Sequence, residues 1–382
     1  MAASSLAIES SGLVYDARGA EPQRRIAFFP SLCLLADDSI LAGFQAGPAK
    51  NAATGTIRLA RSTDGGRSWD AVPCEFETNV GGIPGSLGCA EMVEAEPGRL
   101  LLFATWWDRR DPARPLFDPV TEGLLHSRTL VAASVDGGVT WRGWQELPLH
   151  GLRGCSLTGP IVRWRDGTIA VPFESFREFD DPAPRHHAAW LVASHDGGRT
   201  FSEPAIVAEH PDHAVYYWDQ RLCAGAEVGS FTGLFWSHDL VGKRDLTVHM
   251  RRARLHAGTT AGDPPAPLPI PGQIAAPLEL ADGRLLAFVV DRGRPGTMTL
   301  WSSPDGGGTW PEGERLVVYT HDEQAALSQR GAEVDFAEYW EDMGKWSFGH
   351  PVLRSLPDGR LLAAWYAGTP DRMSIHWARI TR

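Results

Sequence analysis

Aromatic and charged residues cluster at a few places along the chain. The densest cluster is residues 216–221 (YYWDQR), and a second one is residues 106–110 (WWDRR). Aromatic faces stack on the C–H surfaces of sugars, and an arginine can hold a carboxylate through two parallel hydrogen bonds. These residue types favour a surface that binds an anionic carbohydrate, although packed and salt-bridged loops have the same composition.

Three further places carry groups suited to acid–base chemistry. Glu174 and Glu178 flank Arg177, and glycoside hydrolysis uses two carboxyl groups, one as acid and one as base or nucleophile. His350 can act as a general acid or base because an imidazole titrates near neutral pH. Arg292 lies in a Gly-rich hairpin, where an arginine either binds an anion or is simply exposed.

Metal and cofactor sites are not expected. His186 and His187 have no Asp or Glu at metal-ligand spacing nearby in the sequence. The five cysteines are widely spaced and include no C-x-x-C pair, so a zinc ribbon and a disulfide framework are both unexpected.

The composition of the chain limits the kinds of partner that we expect it to bind. The chain has 382 residues and a net charge of −11, which argues against a nucleic-acid surface. Its first residues lack the basic and apolar regions of a secretory signal, and we therefore expect a cytoplasmic protein. An unbroken apolar run long enough to cross a membrane is absent from the sequence. The 41 Gly, 28 Pro and 15 Trp residues indicate many tight turns.

Those turns repeat. An apolar strand, a tight turn and a second apolar strand recur about every 64 residues, at the turn residues Asp38, Gly98, Gly167, Gly229, Gly283 and Gly359. Asp-Gly or a similar pair between apolar runs predicts a β-hairpin. A third strand follows each hairpin, as in TIRLARS (56–62), AWLVAS (189–194) and LTVHMRR (246–252).

A second motif, S-x-D-G-G-x-[ST]-[WF], follows four of these third strands. Its aspartates are Asp64, Asp136, Asp196 and Asp305. An Asp carboxylate in such a turn accepts hydrogen bonds from the backbone of its own turn, and the final aromatic ring packs against neighbouring strands. We therefore assign these aspartates a structural role.

Six repeats of four strands predict an all-β fold that forms one domain over residues 1–382. Units that cannot bury their faces alone stack around a ring, which gives a six-bladed β-propeller of four-stranded antiparallel blades. The last repeat has three obvious strands. We expect residues 6–9 or 12–15 to supply the fourth strand and to close the ring.

The four motif copies are Asp-boxes, and the whole chain resembles the sialidase (neuraminidase) superfamily of six-bladed propellers. That resemblance implies an active site on the face away from the Asp-boxes, here called the working face. It implies carboxylate-binding roles for Arg221 and Arg292 and an assisting role for Glu174. Three family features have no counterpart: Phe28 stands at the place of the first arginine, residues 46–56 contain no carboxylate, and residues 348–351 (FGHP) lack the nucleophilic tyrosine.

Mapped onto this fold, the candidate residues lie on the working face. The expected catalytic residues are Glu174, Asp219, His350 and Tyr217. The expected substrate-binding residues are Arg221, Arg292, Trp106, Asp108, Arg109, Trp218, Arg177, Tyr366 and Trp346. Residues 320–347 form the longest segment between repeats and predict a pocket wall with a short helix over 332–340, where Glu338, Tyr339 and Trp340 could touch a ligand.

Three functions remain open. The first is an exo-acting, sialidase-like glycosidase for an anionic glycan in a pocket at the propeller axis. The second is a polysaccharide lyase that removes a proton next to a uronate carboxylate, with His350 and either Tyr217 or Tyr366. The third is a non-catalytic propeller that binds a glycan or a protein. In each enzymatic case the partner is a carbohydrate that carries a carboxylate.

Overall fold

The computed structural model describes residues 6–183, 186–293, 295–321 and 343–382. These ranges are dominated by β-strands, with short 3-10 turns at Ala17–Gly19, Pro22–Arg24 and Glu312–Glu314. The prediction of an all-β fold is confirmed. Within the described ranges no helix is long and apolar enough to cross a membrane.

The largest sheet joins the two ends of the chain. Its strands are β1 (Ala7–Tyr15), β2 (Ile26–Leu34), β3 (Ile40–Gly47), β4 (Thr56–Ser62), β5 (Asp70–Val72), β25 (Phe348–Ser355), β26 (Leu361–Thr369) and β27 (Arg372–Thr381). Antiparallel pairs β1–β27–β26–β25 form one half and β2–β3–β4–β5 the other. A single parallel bridge, Ile26 to Met373, links the halves. β1 therefore adds a fourth strand to the last repeat, and it includes residues 7–9 and 12–15 of the two segments that the sequence suggested.

The other sheets are antiparallel and follow one another along the chain. The second contains β6 (Gly85–Glu96), β7 (Arg99–Asp108), β8 (Ser127–Ser134) and β9 (Gln145–Glu146). The third contains β10 (Cys155–Leu157), β11 (Val162–Arg163), β12 (Ile169–Ser175), β13 (Ala188–Ser194) and β14 (Ala205–Ala208).

The fourth and fifth sheets complete the set that the described residues form. The fourth contains β15 (Val215–Ala224), β16 (Ser230–Asp239), β17 (Arg244–Asp245), β18 (His249–His256), β19 (Thr259–Ala261) and β20 (Ala266–Pro267). The fifth contains β21 (Ala275–Glu279), β22 (Leu285–Asp291), β23 (Gly296–Ser303) and β24 (Arg315–His321). The Pro-rich segment 257–272 contributes two short strands, β19 and β20, which pair with β18.

Apolar side chains from consecutive sheets interlock. Leu41 and Leu59 of the first sheet pack with Leu100 and Leu102 of the second. Val171 of the third sheet packs in one cluster with Phe103 of the second. Continuous apolar strands such as β7 are needed because both faces of each sheet are buried.

The Asp-box turns share one hydrogen-bonding pattern. The Asp64 Oδ1 accepts the backbone N–H groups of Arg67 and Ser68, both at 2.9 Å, and the Ser62 hydroxyl at 2.8 Å. Asp196 makes the corresponding contacts in its own turn. Backbone and hydroxyl donors to Asp305 lower its pKa to about 2. The structural role expected for these aspartates is the one observed.

Candidate functional site

Four β-bulges direct side chains into one central cavity. In β2, β6, β15 and β25 the regular pairing is interrupted at the same point of the repeat. The extra residues there are Phe29, Cys89, Asp219 and His350, with φ of 52°, 57°, 45° and 57°. All four line the cavity. A bulge changes the direction in which a side chain points. The same bulge in four repeats therefore brings four different side chains to one cavity.

Empty space in the cavity, together with the open solvent at its mouth, amounts to about 930 Å³. Its walls are mainly aromatic, from Phe29, Trp107, Phe117, Phe176, Trp218, Trp236, Trp346 and Tyr366. Its polar groups include Asn51, Ser156, Thr158, Glu174, Asp219, Arg292 and His350. Apolar walls with a few convergent polar groups are typical of a small-ligand site.

Arg221 ties the polar groups of the cavity together. Its side chain is buried, with Nη2 2.9 Å from His350 Nδ1 and 3.8 Å from Asp219 Oδ1. Nη1 donates to the Thr158 carbonyl and lies 3.8 Å from Glu91 Oε1. Burial, followed by the charges of Arg221 and other nearby cations, holds the pKa of His350 well below its usual value. His350 is therefore a neutral imidazole that faces a guanidinium.

Two carboxyl groups share this environment. Glu174 is only 3% exposed, and its Oε1 accepts the Gln220 backbone N–H at 3.0 Å. Burial and then the charge of Asp219 raise the pKa of Glu174 well above its usual value. Burial also raises the pKa of Asp219, against the opposing charges of Arg221 and Arg292. The pair therefore holds a proton into a higher pH range than isolated carboxyls, with Glu174 favoured as the protonated partner.

Arg292 has a buried guanidinium with two donors that are unpartnered within the described residues. The group lies 4.0 Å from the centre of the Trp346 ring, and its Nη2 donates to the Phe348 carbonyl at 3.3 Å. In the described part of the chain, Nε and Nη1 of this buried residue have no hydrogen-bond partner. A Cβ on Gly349 would lie 2.5 Å from Nη2, so the close approach requires glycine. An anionic ligand would satisfy the free donors.

Lys50 is a functional candidate that the sequence analysis missed. Its Nζ donates to the Met343 and Trp346 carbonyls, at 3.1 and 2.5 Å, and to the Tyr366 hydroxyl at 2.9 Å. Burial and then the Arg292 charge hold the pKa of Lys50 well below its usual value. In residues 46–56 the useful signal is this cationic residue and not the absence of a carboxylate.

Comparison with known proteins gives two kinds of match. No protein-family model matches the chain. A curated sialidase from Micromonospora viridifaciens is 34% identical over 135 residues, which cover 34% of this chain and 20% of that protein. The chain thus matches only about a fifth of the relative's length.

Solved structures match over nearly the whole chain. A Dyadobacter fermentans protein of unknown function aligns with a TM-score of 0.74 and 17% identity, over 99% of each chain. The Hadza microbial sialidase Hz136 aligns with a TM-score of 0.66 and 17% identity, over 97% of this chain and 68% of that one. The chain therefore shares its fold with a solved sialidase. The resemblance inferred from the Asp-boxes is thereby confirmed.

Against the sialidase pattern, the cavity keeps some groups and replaces others. Glu174 and Arg292 line it, and Arg221 lies directly behind Asp219 and His350. Tyr366, Trp218 and Trp346 also line it, as the sequence suggested. Phe29 faces the cavity beside Phe28, the residue at the place of the family's first arginine.

Three of the expected residues lie elsewhere. Tyr217 is buried between sheets, with its ring 5.7 Å from that of Phe235, and does not line the cavity. Trp106 is fully buried, and its indole N–H donates to the Thr78 carbonyl at 2.8 Å. Arg177 donates to the Ala183 carbonyl at 2.7 Å within its own loop. Strand alternation explains the first two, since their neighbours Trp218 and Trp107 take the cavity side.

Asp108 and Arg109 do not line this cavity. Asp108 pairs with Arg110 at 2.6 Å and lines a second, acidic cavity. Arg109 donates to the Asn51 carbonyl at 2.8 Å and to the Ser86 hydroxyl at 2.9 Å. It therefore supports the loop that carries Asn51 and Lys50. The helix expected over 332–340, with Glu338, Tyr339 and Trp340, lies outside the described residues.

Proposed function

We propose that this protein is a glycosidase that takes a terminal, carboxylate-bearing sugar into the axial cavity and hydrolyses its glycosidic bond. One observation carries the proposal: the carboxyl groups of Glu174 and Asp219 line the same cavity as Arg292, whose buried guanidinium has two donors without a partner in the described residues. The sialidase fold and the curated sialidase match support the same class of reaction.

The proposal includes a six-bladed ring that β1 closes. The two halves of the largest sheet would be the first and last blades, with one parallel bridge between them. Val352 and Leu362 of the last repeat pack in one cluster with Ile26 and Phe44 of the first repeat, in support of closure. In such a ring the bulges would face the axis, which explains their convergence.

The substrate carboxylate would accept a hydrogen bond from a free donor of Arg292, close to Lys50. A charge-assisted hydrogen bond of this kind would hold the carboxylate against the guanidinium. Aromatic walls from Trp218, Trp236 and Trp346 would stack on the sugar and exclude water.

Glu174 would donate its proton to the leaving oxygen, because its raised pKa keeps it protonated where an ordinary Glu is ionised. Asp219, whose side chain is 32% exposed, would face the sugar as the carboxylate that activates water or attacks directly. Arg221 at 3.8 Å stabilises the ionised form of Asp219.

A lyase is the second candidate, and the environment of His350 favours it. A neutral imidazole near Arg221, together with a Tyr366 hydroxyl held by Lys50, would remove a proton next to a uronate carboxylate. In that reaction the charged side chains would neutralise the carboxylate, and an unsaturated product would form.

The test is a panel of sialosides, aryl glycosides and uronate polymers. Hydrolysis should release reducing ends, and Glu174→Gln should abolish the release while circular dichroism and melting temperature stay near those of the native protein. New ultraviolet absorbance from a conjugated double bond would establish the lyase instead. Absence of both products, with a ligand-dependent rise in melting temperature, would leave a binding module and overturn the enzymatic proposal.

A further inference from the structure

Two histidines and a glutamate converge on the working face outside the axial cavity. His186 Nε2 lies 3.0 Å from Glu209 Oε1, and His213 Nδ1 lies 3.8 Å from the same oxygen. The three ligand atoms all lie within 4.8 Å of one another, a grouping found once among the described residues. Imidazole nitrogens with one carboxylate oxygen are a common donor set for zinc.

The cluster joins two loops that the fold brings to one end of the third sheet. His186 immediately precedes β13, whereas Glu209 and His213 belong to the loop between β14 and β15. Ala189 of β13 pairs with Ala208 of β14, and this register places the two loops side by side. The spacing of residues in the sequence does not indicate this cluster, because the carboxylate and the second imidazole belong to a different loop, the one between β14 and β15.

The second loop is already shaped to present its ligands. His213 adopts a φ of 50°, and its backbone N–H donates to the His210 carbonyl at 2.9 Å. His210 Nδ1 accepts the backbone N–H groups of Asp212 and Ala214, at 3.2 and 3.3 Å. Nδ1 of His213 is itself inaccessible and, in the described ranges, lacks a hydrogen-bond partner. This loop therefore holds an imidazole nitrogen near Glu209, and that nitrogen makes no hydrogen bond within the described residues.

We propose that His186, Glu209 and His213 bind one divalent transition-metal ion, with zinc as the preferred metal. A tetrahedral zinc ion with bonds of about 2.1 Å places its ligand atoms about 3.4 Å apart. The observed separations of 3.0 and 3.8 Å lie on either side of that value. Three protein ligands leave one position for water or for an exchangeable ligand.

The ion would fasten the β12–β13 loop to the β14–β15 loop beside the axial cavity. His187, next to the proposed ligand His186, is buried and donates from Nε2 to the Tyr217 carbonyl at 3.2 Å. Its ring lies 5.1 Å from that of Phe176, which lines the cavity. Metal binding would thus stiffen one cavity wall without supplying a reacting atom.

The experiment measures metal binding alone, so its outcome is independent of the proposed glycosidase activity. Full-length protein, free of any affinity tag and treated with a chelator, is titrated with Zn²⁺ by calorimetry. Co²⁺ is then used as a spectroscopic probe of the ligand set. We expect one ion per chain, visible Co²⁺ bands typical of tetrahedral coordination, and a rise in melting temperature with zinc.

His186→Ala and Glu209→Gln should each weaken zinc binding at least about tenfold, since each removes one of three ligands. His150→Ala is the matched control, because His150 forms a 2.8 Å pair with Glu203 but has no third ligand in the described residues. Unchanged binding in His186→Ala, or no stoichiometric binding by the native chain, would overturn the proposal. Circular dichroism of each variant separates a lost ligand from a lost fold.

Discussion

The Asp-box turns and the β-bulges in β2, β6, β15 and β25 both recur along the chain, but they differ in whether their side chains recur as well. At the boxes both the backbone and the side chains repeat: Asp64, Asp136, Asp196 and Asp305 each accept a hydroxyl from the Ser two residues earlier and backbone N–H groups of their turn. At the bulges only the backbone repeats, and Phe29, Cys89, Asp219 and His350 share a positive φ but no chemistry.

The ionisation of the two regions also differs in sign. Hydrogen-bond donors lower the pKa of the box aspartates, while burial raises the pKa of Glu91, Glu174 and Asp219 around the cavity. Stabilised carboxylates favour the folded state, whereas buried carboxyls that resist ionisation weaken it as pH rises. In this protein the side chains that repeat strictly stabilise the fold, whereas the repeated backbone bulges with varied side chains line the candidate site.

The largest expected effect follows from replacing a bulge carboxylate. Asp219→Asn should lower kcat/KM on a hydrolysed substrate by roughly 10³-fold, because the amide cannot activate water or attack the sugar. Asn tolerates the positive φ of this position, so the melting temperature should change little. Initial rates and thermal unfolding measure the two quantities.

The matched control for Asp219→Asn is the same substitution in a box. Asp196→Asn should leave kcat/KM unchanged, because that turn lies at the opposite end of its sheet from the cavity. Equal losses of activity in the two variants would contradict the assignment of a structural role to the Asp-boxes and a functional role to the bulges.

Glu91 lies two residues beyond the Cys89 bulge. Its ionisation is expected to destabilise the folded protein, whereas ionisation of the box aspartates stabilises it. Burial raises its pKa from 4.5 to about 7, although Arg221 and Arg354 oppose the shift. The folded state therefore binds a proton that the unfolded chain releases, and stability falls as pH rises from 4.5 through 7. The shift corresponds to about 3 kcal/mol.

Glu91→Gln should remove this part of the pH dependence, since the amide stays neutral. Urea unfolding of both proteins between pH 4.5 and 8 gives the comparison. A free energy of unfolding with the same pH slope in both proteins would show that Glu91 ionises freely in the folded state.

Local sequence signals recovered the framework well. The third strand of the first repeat was placed at residues 56–62, where β4 occurs, because alternation and a flanking turn define it locally. In the fourth repeat the corresponding strand was placed at 246–252, but β18 spans His249–His256, since the short β17 precedes it and shifts the register.

The sequence indicates the lining of the cavity less completely, for a physical reason. Asp219, His350 and Arg292, whose residue types stand out near predicted strand ends, line the cavity. Tyr217 and Trp106 do not line it, because a bulge or a strand's alternation decides which neighbour faces the cavity, and neither is visible from composition. Lys50 and the cluster of His186, Glu209 and His213 depend on loops that meet only after folding.

A smaller effect should follow from adding a methyl group beside Arg292. Gly349 has a φ of 147°, and a Cβ there would lie 2.5 Å from Arg292 Nη2 and 3.2 Å from the Tyr366 hydroxyl. Gly349→Ala should displace the guanidinium and raise KM about tenfold, the equivalent of roughly 1.4 kcal/mol of binding, with a smaller change in kcat. Steady-state kinetics separates the two constants.

Gly359→Ala is the control for backbone strain. Gly359 also has a positive φ, of 81°, but a Cβ there meets no atom within 4 Å. This variant should lose some stability and keep its KM. A raised KM in both variants would attribute the effect to strain in the last repeat and not to Arg292.

The smallest effect is expected in a box turn. Asp64→Ala removes the acceptor of two backbone N–H groups and of two hydroxyls, those of Ser62 and Ser68. The site is exposed, so we expect a loss of about 1 kcal/mol, similar to the loss of a helix N-cap. The pKa of Asp64 lies well below its usual value, and its contribution is therefore present at neutral pH and lost on acidification.

Asp64→Asn tests whether the carboxylate charge or its acceptor geometry holds the turn. An amide oxygen can still accept the two backbone N–H groups, so this variant should recover most of the stability lost in Asp64→Ala while losing the acid dependence. Chemical unfolding at pH 7 and at acidic pH measures both effects. If Asn is as damaging as Ala, the charge of the box aspartates and not their repeated hydrogen-bonding geometry supports the fold, and the contrast with the bulges becomes one of electrostatics alone.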